Sequence, residues 1–205
     1  MYLGDSITEI CCWRSVVWDD LAKANLTGSV QMVGSMNNNP QNCKATASGF
    51  DTHHEGHSGW QAVNIASQYI DRWSKSTPAD IVQIMLGTND VGAKRTTQQV
   101  IDAYTKIVSS MREQLPNAKF ILDKVITLPR TQAPVDDINK AIPAWVEANT
   151  KPNSPIVIAD CSKEAGFTAG MLRDGVHPNA QGDQFMAKQI SPLLIQFVKD
   201  KLAGK

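Results

Sequence analysis

Residues 80–86 form a nearly continuous apolar run, Asp80 followed by Ile81, Val82, Gln83, Ile84, Met85 and Leu86, and the run ends in Gly87-Thr88-Asn89-Asp90. A strand apolar on both faces belongs in the middle of a parallel sheet with helices on each side. The rest of the chain agrees, because strand-like and helix-like stretches alternate. Short strands are expected at Tyr2-Leu3, 30–34, 119–126 and 155–159. Helices are expected over about 9–25, 61–73, 96–115 and 136–149, the last bent at Pro143, with a final helical region from Ala180. The clearest is 96–115, where Val100, Ile101, Tyr104, Ile107, Val108, Met111 and Leu115 follow helical spacing. Ser191-Pro192 reads as an N-cap and first-turn proline, so a kink or restart is expected there. The fold class is therefore α/β: a three-layer α/β/α sandwich around a central, mainly parallel five-stranded sheet. With 205 residues, no linker and no internal repeat, residues 1–205 read as a single domain.

Composition excludes several classes of function. Charged residues make up 20% of the chain and balance to zero, with bases and acids interleaved, so no concentrated basic surface is available for nucleic acid. No apolar run approaches the roughly 20 residues of a membrane span. Met1-Tyr2-Leu3 leads directly into Gly4-Asp5-Ser6 and reads as the stub of a first strand. No signal peptide is visible; since a mature chain loses its leader, this leaves the compartment open. The cysteines Cys11, Cys12, Cys43 and Cys161 match no zinc spacing. They read as buried thiols or as disulfides of a secreted protein, with Cys43 bonding to Cys11 or Cys12. Asn25-Leu26-Thr27 is a glycosylation sequon, which adds a little weight to secretion.

Four short segments carry candidate chemistry. Gly4-Asp5-Ser6 follows a strand and precedes a helix, the place where open α/β sheets bind ligands. In Asp174-Gly175-Val176-His177, an Asp three residues before a His can hold the ring so that Nε2 is left to accept a proton. Asn89 brings a side-chain amide to the end of the central strand, and Gly59, in Gly56-His57-Ser58-Gly59-Trp60, offers a bare backbone N–H. Taken singly, each segment is as well explained by a turn or a cap. All four can converge on one sheet edge, where they supply a nucleophile, a base with its orienting acid, and oxyanion donors.

In this order, Gly4-Asp5-Ser6, Gly59, Gly87-x-Asn89 and Asp174-x-x-His177 resemble the four blocks of the SGNH hydrolases, the GDSL esterase/lipase superfamily. The segments 4–9 with Trp13-Arg14, 55–60 and 174–179 look most like carbohydrate esterase family three, the acetyl xylan esterases. The resemblance implies the flavodoxin-like SGNH fold, with Ser6 as nucleophile, His177 as base, Asp174 as its orienting acid, and Ser6 N–H, Gly59 N–H and Asn89 as the oxyanion hole. It implies no cofactor and no metal. The cluster His53, His54, Glu55 and His57 is not a zinc motif and is expected to be a polar substrate loop, with His57 and Trp60 as substrate-binding candidates. Trp60 could equally pack. Trp13, Trp18, Trp73 and Trp145 are expected in the core or as anchors, Asp5 in a structural hydrogen bond, and Glu9 with Arg14 as an ion pair. The implied function is a secreted, monomeric esterase that acts on acetylated polysaccharide such as xylan, or on small esters, with no nucleic-acid or membrane partner. The alternatives are a short-chain acyl esterase, thioesterase or lysophospholipase-like member of the superfamily, and a carbohydrate-binding protein on an inactive scaffold.

Overall fold

Alternating side chains along the strands sort the core into two halves. In the computed structural model, which describes residues 1–204, Leu3, Val82, Ile84, Phe120 and Leu122 face one apolar cluster, while Tyr2, Met85, Ile121 and Ala159 face the other. This period of two places a parallel sheet between two helical layers. The strands are β1 (Tyr2–Gly4), β2 (Glu55–Gly56), β3 (Ile81–Met85), β4 (Lys119–Asp123) and β5 (Ile156–Ala159). Among the described residues they form one all-parallel sheet in the order β2-β1-β3-β4-β5.

The helices are α1 (Ser6–Ile10), α2 (Trp13–Lys23), α3 (Ala62–Gln68), α4 (Ile70–Ser76), α5 (Thr88–Gly92), α6 (Thr97–Gln114), α7 (Gln132–Asn149) and α8 (Ala180–Leu202). Residues of α2 and α8 pack on the Tyr2 face, and residues of α3, α4, α6 and α7 on the Leu3 face. The α6 stripe Val100, Ala103, Tyr104, Ile107, Val108 and Met111 is buried, and Thr96 with Gln99 closes a capping box at its start.

Four expectations need correction. Residues 30–34 form no strand. Met32 N–H is taken by the Asp51 carboxylate, and Glu55–Gly56 occupies the sheet edge instead, pairing as Leu3↔Glu55 and Gly4↔Gly56. The helix expected over 9–25 is two helices, broken at Cys11-Cys12. There the Asp183 carboxylate accepts the Cys12 and Trp13 N–H groups at 3.1 Å each and starts α2 afresh. The helix expected over 61–73 is likewise divided at Tyr69 into α3 and α4. Finally, α8 runs through Ser191-Pro192 without a restart. The Ser191 hydroxyl donates to Asp20 on α2 at 2.8 Å and does not cap a new helix.

The long segment 35–58 is irregular but well tied. The Arg14 guanidinium, 3% exposed, donates to the Thr8, Glu9, Thr52 and Asn38 carbonyls. It therefore clamps backbone across 38 residues of chain, where an ion pair with the Glu9 carboxylate was expected. Asp19 accepts the N–H groups of Thr46 and Ala47, and Trp18 Nε1 donates to Ser48 O. Cys12 and Cys43 form a disulfide, while Cys11 and Cys161 are buried free thiols. The tryptophans Trp13, Trp18, Trp73 and Trp145 are all buried.

The bridge closes a loop of sequence separation 31, for which chain entropy assigns about 3–4 kcal/mol. The double variant Cys12→Ser/Cys43→Ser is therefore expected to melt roughly 6–16 °C below the parent in a thermal scan. Equal melting temperatures would show that the bridge constrains nothing.

Candidate active site

The register of the sheet brings the four segments together. Gly4 pairs with Gly56 on one side and Met85 on the other. The residues that follow each strand, Asp5-Ser6, His57-Ser58-Gly59 and Gly87-Thr88-Asn89, therefore leave the same carboxyl edge side by side. In the order β2-β1-β3 this is where the chain's direction of travel across the sheet reverses, the crevice in which open α/β folds bind ligands. Gly4 is required there by space: a Cβ would stand 2.1 Å from Thr8 Oγ1 and 2.9 Å from Met85 O.

Asp5 is the N-cap of α1, its Oδ1 accepting Ile7 N–H at 2.9 Å. Ser6 is thereby the first residue of the helix, 8% exposed, with its hydroxyl at the mouth. Burial pushes the Asp5 carboxyl up to about 7, against the pull of the Ile7 N–H. Its other oxygen meets Asn89 Nδ2 at 3.3 Å, so both oxygens are engaged in structure.

His177 arrives on a loop pinned at both ends. A Leu172↔Pro178 bridge closes it, Arg173 N–H donates to His177 O, and Asn179 caps α8 by accepting the Gln181 and Gly182 N–H groups. The Asp174 Oδ1 accepts the N–H groups of Val176 (3.0 Å) and His177 (2.8 Å), while Oδ2 sits 2.8 Å from His177 Nδ1. Slight burial raises the Asp174 carboxyl, but the His177 N–H, the His177 ring and the Val176 N–H outweigh it and hold it at about 2. With a carboxylate accepting at Nδ1–H, Nε2 is the ring acceptor, and Ser6 Oγ lies 2.9 Å from it. Ser6, His177 and Asp174 thus form a continuous hydrogen-bonded line from hydroxyl to carboxylate, able to take a proton from the hydroxyl.

Opposite this line stand the donors. Among the described residues, the backbone N–H groups of Ser6 and Gly59 find no acceptor. Asn89 Nδ2 spends one hydrogen on Trp60 O at 3.0 Å, and its 3.3 Å contact to Asp5 is long. That second hydrogen is the one a negative oxygen would draw. Donors of this kind, on the three segments that leave one sheet edge beside the Ser6 hydroxyl, are the type that stabilises an oxyanion.

His57 is turned inward. Its side chain is 13% exposed, Nε2 meets the buried Glu55 carboxylate at 2.7 Å, and its ring lies against both Trp60 (4.6 Å) and Trp73 (4.5 Å), which are themselves 5.6 Å apart. Trp60 remains half-buried and leans also on Tyr69 at 4.3 Å. The ring that the sequence offered as a substrate contact is here part of an aromatic pile under the Gly59 turn. Glu55, expected in a polar substrate loop, is instead buried and also accepts the Ser35 N–H and hydroxyl; sequence reasoning passed over Asp183, which ties α8 to α2. Asn179, directly before Ala180, carried a legible N-cap signal.

The exposed residues at this edge, Ser58, Gly59, Asp174 and Gly175, are small or polar. Among the described residues the exposed large hydrophobic side chain is Leu202, at the far end of α8 from His177. No helix among them is long and apolar enough to cross a membrane.

Comparison with known proteins matches residues 2–185 to the GDSL-like Lipase/Acylhydrolase family. No curated protein sequence matches. Among solved structures, the chain is similar to an acetyl esterase mutant with an acetate ion and to a carbohydrate esterase family 3 from Talaromyces cellulolyticus. Each is 53% identical with TM-score 0.95, over 98% of this chain and 97% of that one. A Clostridium thermocellum family 3 carbohydrate esterase shares the fold at 23% identity and TM-score 0.80, over 97% of this chain and 96% of that one.

If the line of hydrogen bonds activates Ser6, a fluorophosphonate probe is expected to add once, at Ser6, as peptide mapping by mass spectrometry would locate it. His177→Ala should abolish the adduct. Labelling at another serine, or unchanged labelling without His177, would remove Ser6 from the centre of the site.

Proposed function

The chain belongs to the GDSL-like lipase/acylhydrolase family and is a carboxylic ester hydrolase; we propose that it removes acetyl groups from acetylated plant polysaccharide such as xylan. The observation that carries this reading is the hydrogen-bonded line Ser6–His177–Asp174 at a sheet edge where, among the described residues, no large hydrophobic side chain is exposed. A long acyl chain needs an apolar cavity or surface to leave water, at about 0.8 kcal/mol per CH₂. With no exposed large hydrophobic beside the hydroxyl, an acetyl group on a bulky polar polymer fits better than a lipid. The acetyl esterase and the family 3 carbohydrate esterase that are 53% identical to this chain support the same choice.

The chemistry proceeds in two halves. Ser6 Oγ attacks the acetyl carbonyl carbon as its proton passes to His177 Nε2. The carbonyl oxygen becomes an oxyanion held by the Ser6 and Gly59 N–H groups and the Asn89 amide. As the intermediate collapses, the sugar oxygen leaves with the proton from His177, and the acetyl group stays on Ser6. Water then repeats the sequence, giving acetate and the free serine. Asp174 remains a carboxylate throughout and stabilises the imidazolium. Every group comes from one chain, so a monomer suffices. Secretion is the compartment that suits the Cys12–Cys43 bridge, and the exposed Asn25 of the sequon agrees with it.

Two measurements test the reading. Hydrolysis of p-nitrophenyl acetate is expected to exceed that of the octanoate by at least about tenfold in kcat/KM, since each extra methylene gains nothing at an edge of small or polar residues, and acetylated xylan should release acetate. Equal or reversed chain-length preference would replace acetyl esterase by a longer-chain acylhydrolase. Ser6→Ala should lower kcat by roughly 10⁴-fold or more, and Asp174→Asn by on the order of 10³–10⁴-fold. Retained turnover in pure Ser6→Ala protein would discard the mechanism.

A further inference from the structure

The turn that carries Gly59 is flanked by the packed rings of His57 and Trp60 and closed by Trp60 N–H on His57 O at 3.2 Å, but its tip is free of packing. Ser58 and Gly59 are exposed. A Cβ on Gly59 would meet nothing within 4 Å, yet the residue sits at φ +80°, a left-handed conformation that steric contact does not impose here. Polar bonds must therefore set its direction. On one side the segment is anchored by His57 N–H to Gly4 O at 3.0 Å, and on the other by Asn89 Nδ2 to Trp60 O. Between these anchors, the bonds that reach out of the turn come from Ser58. Its N–H donates to Glu9 Oε2 at 2.7 Å, and its hydroxyl donates to the same oxygen. The other Glu9 oxygen accepts Asn38 Nδ2 at 2.7 Å. The backbone of Glu9 is fixed in turn, its N–H on Asp5 O and its carbonyl on Arg14.

Glu9 lies in the same five-residue helix as Ser6. One rigid turn thus carries the nucleophile at its start and, near its end, the carboxylate that grips the peptide preceding Gly59 N–H. We propose that Glu9 is a positioning residue of this esterase: through Ser58 it fixes the distance and angle between the Gly59 N–H and the carbonyl that Ser6 attacks. This rests on the reading of Gly59 as an oxyanion donor. The hydrogen bonds that Glu9 receives form equally with bound ester and with tetrahedral intermediate. Their catalytic effect is felt only where the Gly59 N–H is needed, at the developing oxyanion. Loss of Glu9 therefore lowers turnover and leaves substrate binding nearly as it was.

The test is steady-state hydrolysis of p-nitrophenyl acetate by Glu9→Ala, Glu9→Gln and Ser58→Ala, with inhibition by methylboronic acid, whose tetrahedral adduct places an oxygen in the oxyanion position. Glu9→Ala is expected to lower kcat roughly 10–100-fold, the cost of a misplaced catalytic group, with KM within about threefold. Boronate inhibition should weaken by a similar factor. Glu9→Gln keeps an oxygen for Ser58 and should restore most of the lost kcat. Ser58→Ala loses one of the two bonds at an exposed position, so it should retain the parent melting temperature with a kcat loss of roughly 3–10-fold; this variant keeps the test alive if Glu9→Ala unfolds. Unchanged kcat in both Glu9→Ala and Ser58→Ala overturns the proposal, as does a loss carried by KM with boronate inhibition intact. Asn89→Ala, measured alongside, separates the two layers. If Asn89→Ala loses turnover while the Glu9 and Ser58 variants do not, only the positioning role falls. If Asn89→Ala and Ser6→Ala both keep turnover, the placement of the site at Ser6, and with it the reading of Gly59 as an oxyanion donor, falls.

Discussion

The tight passage from β1 into α1 at Gly4 is the constraint on which the site depends. The strand is flanked on both sides, and Thr8 folds back over Gly4 so closely that no side chain fits between them. That closeness lets Asp5 cap a helix starting at Ser6 without an intervening loop. A hydroxyl placed at the first turn of a helix, directly off a central strand, inherits the rigidity of the sheet. It also has a free N–H beneath it, since the first turn of a helix has no internal acceptor for its donors. The Ser6 hydroxyl and an N–H without an acceptor thus arise from a single covalent geometry, and the rest of the structure brings partners to it.

Those partners come from far along the chain, and each is delivered by a separate restraint. Asn89 follows β3, the immediate neighbour of β1, and Asp90 beside it accepts the Ala62 and Val63 N–H groups that begin α3. One short helix therefore aligns both the amide and the start of the helix behind Trp60. His177 has no strand under it. It depends on α8, whose Asp183 caps α2 at Cys12-Trp13. Cys12 is also bonded to Cys43, so the long segment 35–58 and the histidine loop are referred to the same point on the scaffold. Residues that never approach an ester can in this way govern the geometry of those that do.

Much of this was legible in the sequence, for a physical reason. The run at 80–86 and the helical spacing at 96–115 report burial, and burial is what periodicity encodes. The Asp174-to-His177 spacing and the Gly4-Asp5-Ser6 turn are local geometries, so their residues could be placed before any fold was known. Several of the misplaced features depended on partners distant in the sequence. Val30, Met32 and Val33 read as a strand, but Asp51 claims the Met32 N–H and the sheet edge goes to Glu55–Gly56, two residues too few to leave a period. His57 looked like a solvent-facing substrate ligand because Trp73, the ring that stacks on it, lies sixteen residues away on another helix. Glu9 and Arg14 looked like a charge pair, yet each found stronger use in the backbone of the long segment.

The fate of the acidic residues shows why only one of them can serve the histidine. Asp5, Asp90, Asp123 and Asp183 are buried, and loss of water pushes their carboxyls up, to about 7 for Asp5 and about 6 for Asp183. They act through hydrogen bonds, three of them by accepting N–H groups where a helix begins. Asp5 is adjacent to Ser6, but a carboxyl that is readily protonated near neutrality, with both oxygens engaged, is a poor partner for an imidazolium. Asp174 is the reverse case: its side chain is 48% exposed, so water and two backbone N–H groups keep it charged while one oxygen is left for Nδ1. The two aspartates meet opposing demands, burial to build the turn at Ser6 and hydration to sustain a charge beside His177, and one carboxyl does not meet both.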